Sequence, residues 1–202
     1  MTEQCGSLCS ESKRSAMQTG AQQGEPMAAA REEFGFARTV CDCLECSINC
    51  HFIPGYLIPA DLERIAGHLG CENLVEFAAE NLLASPGATV FDRGRVRQIP
   101  TLVPARRSDG ACKFLDADNR CTIHEVSPFG CAFFDAHQSK VESDYRSGSG
   151  LVQVDRAWRE EHPYSRLWLL LEALGKVGPS PVAARARLQQ ALAAMKEIST
   201  DE

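Results

Sequence analysis

The chain has 202 residues, of which 44% are hydrophobic and 24% charged, a composition typical of one soluble globular domain with appendages. The formal net charge of −6 argues against general nucleic-acid binding, because such binding needs a basic surface to replace phosphate counterions. No apolar run reaches the ~18 residues that cross a bilayer, and the N-terminus has no basic start or apolar stretch typical of a secretory signal. We therefore expect a cytoplasmic protein with no membrane partner.

The first residues, 1–33, are rich in Gln, Ser, Glu, Gly and Ala, which predicts a disordered N-terminal tail. Cys5 and Cys9 lie in this tail, and we expect neither to take part in a site, because a floppy segment offers no fixed geometry. The chain has ten cysteines in all. Thiols stay reduced in the cytoplasm, so metal ligation is a better explanation for this number than disulfides.

Two helices are predicted next. Pro59 suits the first turn of a helix, Asp61 favours its positive end, and Gly70 suits its stop. A second helix is predicted over about residues 72–84, ended by the breaker sequence at residues 85–87.

Two β-hairpins are predicted after these helices. Residues 88–102 contain two strand-like runs around a turn at residues 92–94. Residues 111–124 predict a second hairpin, with Cys112 on one arm, Cys121 on the other and a polar turn between them. This hairpin could aim both sulfurs at one place.

The C-terminal part is predicted to be helical. Glycine and serine at residues 147–150 indicate a looser joint, and helices are expected over 165–174 and 182–198, split by residues 178–181. We expect a helical hairpin that packs on the core, since amphipathic helices usually bury their apolar face within their own domain. Its predicted seam sets one apolar row against another: Leu188, Leu192 and Met195 against Trp168, Leu171 and Leu174.

The fold class predicted from these elements is α+β. It comprises a small metal-binding cysteine-cluster domain over 34–145, which is held together by the metal and built from short hairpins and helices. A C-terminal helical extension follows over 146–202. No internal repeat is present in the sequence.

Four thiols lie within ten residues, at Cys41, Cys43, Cys46 and Cys50. Their spacing lets a short loop wrap around a metal, and soft sulfur donors suit zinc or iron–sulfur centres. Structural zinc sites commonly use two Cys-x-x-Cys pairs, but only Cys43 and Cys46 form such a pair here. Intervals of two and then three residues are closer to the compact loops that hold iron–sulfur clusters.

Three further cysteines, Cys112, Cys121 and Cys131, follow at intervals of about nine residues. Together with the first loop they predict a metal centre, because a metal site can fold distant segments together. The alternative is that several of these cysteines are simply buried apolar side chains.

The second half of this pattern carries a resemblance to a known family. After Cys112 come Phe114 and Leu115, then a turn, and then the run Cys121-Thr122-Ile123-His124-Glu125-Val126-Ser127-Pro128-Phe129-Gly130-Cys131-Ala132-Phe133-Phe134. This is similar to the bacterial CxxCxxCC family of zinc- or iron-chelating proteins, also called YkgJ-type cysteine cluster proteins, over about residues 36–138.

The resemblance implies metal binding by Cys43, Cys46, Cys50, Cys112, Cys121 and Cys131, and it extends less directly to Cys41. The chain departs from the family pattern in lacking the final paired cysteines of the first loop. It also has His124 in place of a tyrosine and Ser127 in place of an arginine. The resemblance does not identify any particular catalytic activity.

Three hypotheses follow for function. The first is an iron–sulfur or iron centre with a redox or metal-handling role, and the second is a zinc-stabilised protein-interaction module without catalysis. The third is a metal-dependent enzyme, for which the sequence identifies no catalytic residue. The predicted partners are a metal ion and, in the second hypothesis, another protein.

Several other side chains are weighed as ligands. Among the histidines near the cysteines, His124 is the best placed, while His51 and His137 are expected to support ligands or lie on the surface. Cys71, between the two predicted helices, is expected to be structural or incidental; the alternative is that it brings the domain to eight thiols, enough for two four-ligand sites. A local group of arginines predicts a solvated face or, alternatively, a surface for an anionic partner: Arg93, Arg95, Arg97, Arg106 and Arg107.

Overall fold

The computed structural model describes residues 34–38, 41, 43–92 and 94–200, with residues 92 and 194–200 described by their backbone alone. The predicted tail over 1–33, including Cys5 and Cys9, lies outside the described residues, as does Arg93. Within the described part, none of the helices combines the length and the apolar content that a bilayer span requires.

The described elements in chain order are α1 (Leu44–Ser47), α2 (Asn49–Phe52), α3 (Pro59–His68), α4 (Leu74–Asn81), β1 (Leu82–Asp92), β2 (Arg95–Pro104), a 3-10 turn (His124–Val126), α5 (Phe129–Ala132), α6 (Lys140–Arg159), α7 (Pro163–Ala173) and α8 (Pro181–Thr200). The two strands pair antiparallel in one two-stranded sheet. This combination of helices with an antiparallel hairpin confirms the predicted α+β class.

Helix α3 follows the prediction closely. Pro59 occupies its first turn, the buried Asp61 carboxylate accepts the backbone N–H of Ile58 at 3.0 Å, and Gly70 follows its end with φ +71°. A positive φ is free of steric cost only for glycine, so this residue allows the chain to leave the helix.

Helix α4 is shorter than predicted. It begins after Asn73, whose side chain accepts the backbone N–H groups of Val75 and Glu76, and it ends at Asn81. The expectation of a helix up to residue 84 is wrong: residues 82–84 belong to β1 and pair with residues 102–104 of β2. Pairing satisfies the backbone of this segment and buries Leu82 and Ala84 completely in the core, which outweighs their helix propensity.

The breaker sequence at residues 85–87 interrupts the strand instead of stopping a helix. The register of β1 shifts between Ser85 and Ala88, and Gly87 takes a φ of +78° beside the carbonyl of Ile99. The strand stays paired on both sides of this irregularity, with Ser85 opposite Thr101 and Ala88 opposite Ile99.

The second predicted hairpin is not built from strands. Residues 111–124 form a compact loop with one isolated bridge, between Leu115 and Cys121. The Asp116 carboxylate accepts the backbone N–H groups of Asp118 and Arg120, each at 2.9 Å, and this closes the polar turn. Backbone bonds from Thr122 to Phe114 at 2.8 Å and from Asp116 to Arg120 at 3.0 Å join the two arms, but the pairing is too short to form named strands.

The looser joint predicted at residues 147–150 is also wrong, because these residues lie inside α6. A Cβ on Gly150 would lie 2.4 Å from the Phe129 ring and 2.4 Å from the Tyr56 hydroxyl, so glycine permits close packing of the helix here. The division of the chain at residue 145 stays a prediction, and α6 runs continuously across that position.

The two C-terminal helices are confirmed, with α7 packed on the β-hairpin. The Tyr164 hydroxyl donates to the carbonyl of Leu57 at 2.8 Å and accepts the N–H of Leu102 at 2.7 Å, while the Trp168 indole donates to the carbonyl of Ser85 at 2.8 Å. In the predicted seam, Leu171 is fully buried but Leu174 is exposed, and the side chain of Met195 lies outside the description. Helix α8 packs on α2 and β1.

Candidate metal centre

Helices α1 and α2 shape the first cysteine loop into two successive short turns. The carbonyl of Cys43 accepts the backbone N–H groups of Cys46 at 3.0 Å and Ser47 at 2.9 Å. The Asn49 side-chain amide donates to the carbonyls of Glu45 at 3.0 Å and Cys46 at 3.3 Å, which fixes the junction of the two helices. One helical turn therefore separates Cys43 from Cys46 and keeps both on the same side of the loop.

Among the described residues, three thiols of this loop and one histidine form a tight group that could hold a metal ion. The ligand atoms of Cys41, Cys43, Cys46 and His137 all lie within 4.8 Å of one another. The Cys43 Sγ lies 3.3 Å from the His137 Nε2. Three sulfurs and one imidazole nitrogen form a recognised ligand set for a tetrahedral ion. We call these four side chains the cysteine–histidine cage.

The loop before α6 closes the cage from the other side. The backbone N–H of Ala136 donates to the Cys46 Sγ at 3.3 Å, and the N–H of His137 donates to the Asp135 carboxylate at 2.8 Å. Cys41 and His137 are exposed, while Cys43 and Cys46 are half-buried. The cage is therefore a surface site joining two segments that lie about ninety residues apart in sequence.

The electrostatics of the cage favour a cation. The backbone N–H of Cys46 and the ring of His137 lower the pKa of Cys43 to about 7, so this thiol is readily ionised. Burial and the neighbouring thiols raise the pKa of Cys46 to about 12. The same contact with Cys43 raises the pKa of His137. A metal ion would replace the ligand protons and relieve the crowding of sulfur charge.

The spacing of the cage atoms fits a single ion. Bonds of ~2.3 Å to sulfur and ~2.0 Å to nitrogen place the ligands of a tetrahedral ion ~3.5–3.8 Å apart. The ligand atoms of the cage lie within 4.8 Å of one another, and the Cys43 Sγ lies 3.3 Å from the His137 Nε2, so the group can close around a metal ion.

The other four cysteines of the pattern, Cys50, Cys112, Cys121 and Cys131, lie together in the interior, and we call them the interior thiol group. The N–H of Cys112 donates to the carbonyl of Cys50 at 2.9 Å, and Cys121 pairs with Leu115, three residues beyond Cys112. The N–H of Gly55 donates to the Cys131 Sγ at 3.2 Å. Backbone contacts thus bring the four thiols to one region.

Each thiol of the interior group is harder to ionise than an isolated cysteine. Burial, with a further contribution from Cys121, raises the pKa of Cys50 to about 11. Burial raises the pKa of Cys112 to about 12, and Cys50 and Cys121 add to this effect. Burial also raises the pKa of Cys131, as do the other three thiols. The four sulfurs are therefore close enough to repel one another when charged.

A close backbone crossing positions Cys131. A Cβ on Gly55 would lie 2.0 Å from the carbonyl carbon of Gly130 and 2.3 Å from the backbone nitrogen of Cys131. The Gly130 N–H donates to the carbonyl of Tyr56 at 2.9 Å. The two chain segments can approach this closely because neither Gly55 nor Gly130 carries a side chain. The tight turn predicted before Cys131 is therefore fixed against residues 55–56.

The seven predicted cysteine ligands thus fall into two groups, three in the cage and four in the interior. His137 joins the cage although His124 was the favoured histidine; His124 is exposed in the 3-10 turn and His51 lies in the last turn of α2. The positions of the histidines in the sequence do not predict which of them joins the cysteines, because a loop brings His137 to Cys43. Cys71 is buried just after α3 and lies outside both groups.

The described members of the predicted arginine group have different surroundings. Arg106 donates to the carbonyl of Phe52 at 2.5 Å, and Arg107 donates to that of Leu115 at 3.0 Å. Arg97 pairs with Asp155 of α6. These side chains hold loops and helices in place, and only Arg95 of the described members is left as an exposed arginine on the hairpin.

Comparison with known proteins agrees with the resemblance noted in the sequence. The model of the CxxCxxCC family, described as "Putative zinc- or iron-chelating domain", matches residues 41–149. No curated protein and no solved structure matches the chain. The match covers more than half of the chain and includes both cysteine groups and His137, so the chain belongs to the CxxCxxCC family.

Proposed function

We propose that this member of the CxxCxxCC family is a cytoplasmic metal-handling protein that binds one iron or zinc ion in the cysteine–histidine cage. The observation that carries the proposal is the convergence of Cys41, Cys43, Cys46 and His137, whose ligand atoms lie within 4.8 Å of one another. Of the cofactors predicted from the sequence, a single ion suits this spacing better than an iron–sulfur cluster.

A handling role is favoured by the position of the cage. Two of its four ligands are exposed, and it is assembled from surface segments that other proteins or small chelators can reach. The ready ionisation of Cys43 allows the first bond to the metal to form near neutral pH. Four ligands from the protein leave no open coordination position on a tetrahedral ion, which argues against the enzyme hypothesis.

Anaerobic purification with elemental and sulfide analysis tests the ligand set. His137→Ala and Cys43→Ser should each lose one equivalent of metal relative to the wild-type chain. The matched control is His124→Ala, which removes an exposed histidine outside the cage. If His137→Ala and Cys43→Ser keep full metal content, the cage is not the binding site.

The second candidate function is a zinc-stabilised interaction module. It is favoured by the way the cage joins residues 41–46 to residues 136–137, because a closed site of this type often contributes directly to folding. Circular dichroism during chelation separates the two functions. A handling site should empty and refill without loss of secondary structure, whereas removal of a stabilising zinc should unfold the protein.

A further inference from the structure

Helix α6 carries an exposed apolar stripe on the face that points away from the core, while its opposite face is buried. Along the outer face Val141 is 80% exposed, Tyr145 63% and Val152 69%, and Gly148 is exposed between them. Single exposed apolar side chains are common on proteins, but these four positions follow one line along the helix for about 16 Å. We call them the α6 stripe.

The spacing of the α6 stripe is that of a contact between two helices. Its members follow one another at intervals of four, three and four residues, which keeps them on one side of the helix. The same intervals separate the positions at which the side chains of two helices interlock in a coiled coil. The core is served by the opposite face of α6, so the stripe is suited to pack against another helix.

Gly148 leaves a hollow in the middle of the stripe. A Cβ at this position would meet no atom within 4 Å in the part of the chain that the structure describes. Gly150 differs, because the Phe129 ring occupies the space that its side chain would need. Glycine inside a helix is less stable than alanine, and at Gly148 no contact of the described fold compensates for it. The hollow can instead receive a large side chain from another helix.

Tyr145 is the side chain of the stripe that matches this hollow. Its ring lies 6.2 Å from the Phe36 ring in an edge-on contact, which restricts the tyrosine while leaving most of it exposed, so little freedom is lost on binding. Two antiparallel copies of α6, related by a two-fold axis between residues 146 and 147, would set Tyr145 of each copy over Gly148 of the other. The same axis sets Val141 against Val152. The stripe is therefore complementary to itself.

The charges along α6 permit two copies to approach. Residues 140–160 contain four basic and four acidic side chains, and these form four ion pairs within the helix and its C-terminal cap: Lys140–Asp144, Glu142–Arg146, Asp155–Arg159 and Arg156–Glu160. The chain as a whole has a net charge of −6, which opposes self-association, but this helix is neutral. A strongly acidic or basic partner would find no excess charge to recognise on it, so a second copy fits the stripe better.

We propose that the α6 stripe is a homodimer interface, in which two copies of α6 pack antiparallel and Tyr145 of each copy inserts over Gly148 of the other. A helix contact of this length buries less than the ~1,600 Å² of a standard interface, so the dimer should be reversible and should form as the protein concentration rises. The interface is isologous, which closes the assembly at two copies.

Sedimentation equilibrium of the full chain, purified anaerobically and measured up to about 1 mM, tests the dimer. The wild-type chain should pass from monomer to dimer, and Gly148→Gln should weaken dimerisation by about tenfold or more, because its side chain fills the hollow. The matched control is Gly67→Gln, which changes an exposed glycine of α3 that also has open space around its Cβ and should leave dimerisation unchanged.

Two results would overturn the proposal. One is a wild-type chain that stays monomeric throughout the concentration range; protection of the stripe from hydrogen exchange in such a monomer would assign it to another segment of the same chain. The other is a Gly148→Gln variant that dimerises as strongly as the wild type, which would place the interface elsewhere.

An exchange of the large and small side chains tests the antiparallel pairing itself. Gly148→Tyr alone sets two tyrosines against each other and should abolish the dimer, while Tyr145→Ala alone leaves the hollow unfilled and should weaken it. The combined variant, Tyr145→Ala with Gly148→Tyr, again places a large side chain opposite a small one and should recover dimerisation. Thermal unfolding checks that each variant is folded. A folded combined variant that dimerises no better than either single variant would overturn the antiparallel arrangement.

Discussion

The cysteine–histidine cage and the interior thiol group use the same chemistry but depend on the fold in different ways. Three of the four cage ligands lie within six consecutive residues, and short helical turns orient two of them. The interior group draws its four thiols from a span of more than eighty residues and from several elements of the core. One site is nearly local in sequence, while the other exists only when the tertiary structure is complete.

This difference predicts that a metal bound by either group would play a different role. The exposed cage adds few buried contacts, so its ion should exchange without a large change in the free energy of unfolding. The interior thiols lie among buried aromatic and aliphatic side chains, so a metal there would be part of the core. The following substitutions either separate the two groups or show that they behave as one unit.

The largest effect is expected for Asp61→Ala. This carboxylate is fully buried and accepts the N–H of Ile58 at 3.0 Å and the N–H of Phe129 at 2.7 Å, and it pairs with Arg64 at 2.6 Å. Its loss leaves two buried backbone donors unsatisfied and removes the ion pair with Arg64, which should cost about 2–4 kcal/mol in urea-induced unfolding. Because Phe129 begins the helix that carries Cys131, the interior thiols should become open to alkylation.

The control for this change is Asp144→Ala, which removes an exposed carboxylate paired with Lys140 and should cost less than about 0.5 kcal/mol. Mass mapping of the alkylated thiols in the two variants would show whether the cage thiols become accessible together with the interior thiols or stay protected. If Asp61→Ala costs less than about 1 kcal/mol, the buried carboxylate does not organise this region.

A second test inserts one methyl group beside the interior thiols. Gly55→Ala places a Cβ against the backbone of Gly130 and Cys131, which cannot move aside as a flexible side chain can. We expect a loss of about 2–3 kcal/mol and reduced metal binding by the interior group. Gly67→Ala is the matched control: it lies within α3, has no atom within 4 Å of its Cβ, and should stabilise the protein by up to about 1 kcal/mol. Equal stability of the two variants would contradict the close crossing.

A paired substitution compares one thiol from each group in the metal-free protein. Cys46→Ser changes a half-buried cage ligand and should alter the free energy of unfolding by less than about 1 kcal/mol. Cys112→Ser places a hydroxyl in the core and should cost about 1–3 kcal/mol. Denaturant titration of both variants after full metal removal gives the comparison directly. If Cys46→Ser lowered the free energy of unfolding more than Cys112→Ser, the two groups would not differ in the expected way in their dependence on the fold.

The smallest effect concerns a region remote from the cage ligands, where β2 meets α6. Arg97 contacts Asp155 and lowers the pKa of that carboxyl. A depressed folded pKa gives stability that is present above the unfolded pKa of about 3.9 and is lost as pH falls through the lower folded value. Arg97→Gln should therefore cost about 0.5–1 kcal/mol at pH 7 and almost nothing near pH 2. Thermal unfolding at both pH values measures this, and an effect that grows on acidification would contradict it.

Much of this architecture could be predicted from local signals. The proline and glycine that bound α3 act within one turn of the helix, and the turn-forming sequence between two runs of strand-forming residues predicted the pairing of β1 with β2. The spacing of the cysteines and the run after Cys121 were sufficient to identify the family. In each case the residues that determine the outcome are neighbours in the chain, so their effect does not depend on distant contacts.

Other features were decided only by tertiary structure. Residues 82–84 join a strand because pairing with β2 and burial outweigh helix propensity, and Gly150 lies within a helix because its missing side chain admits Phe129 and Tyr56. No spacing rule selects His137 over His124, since a loop ninety residues from Cys43 brings its ring to the cage. The sequence by itself determined which residues could bind metal, but long-range packing decided how they are grouped, because the distances between sulfurs depend on contacts that no local pattern contains.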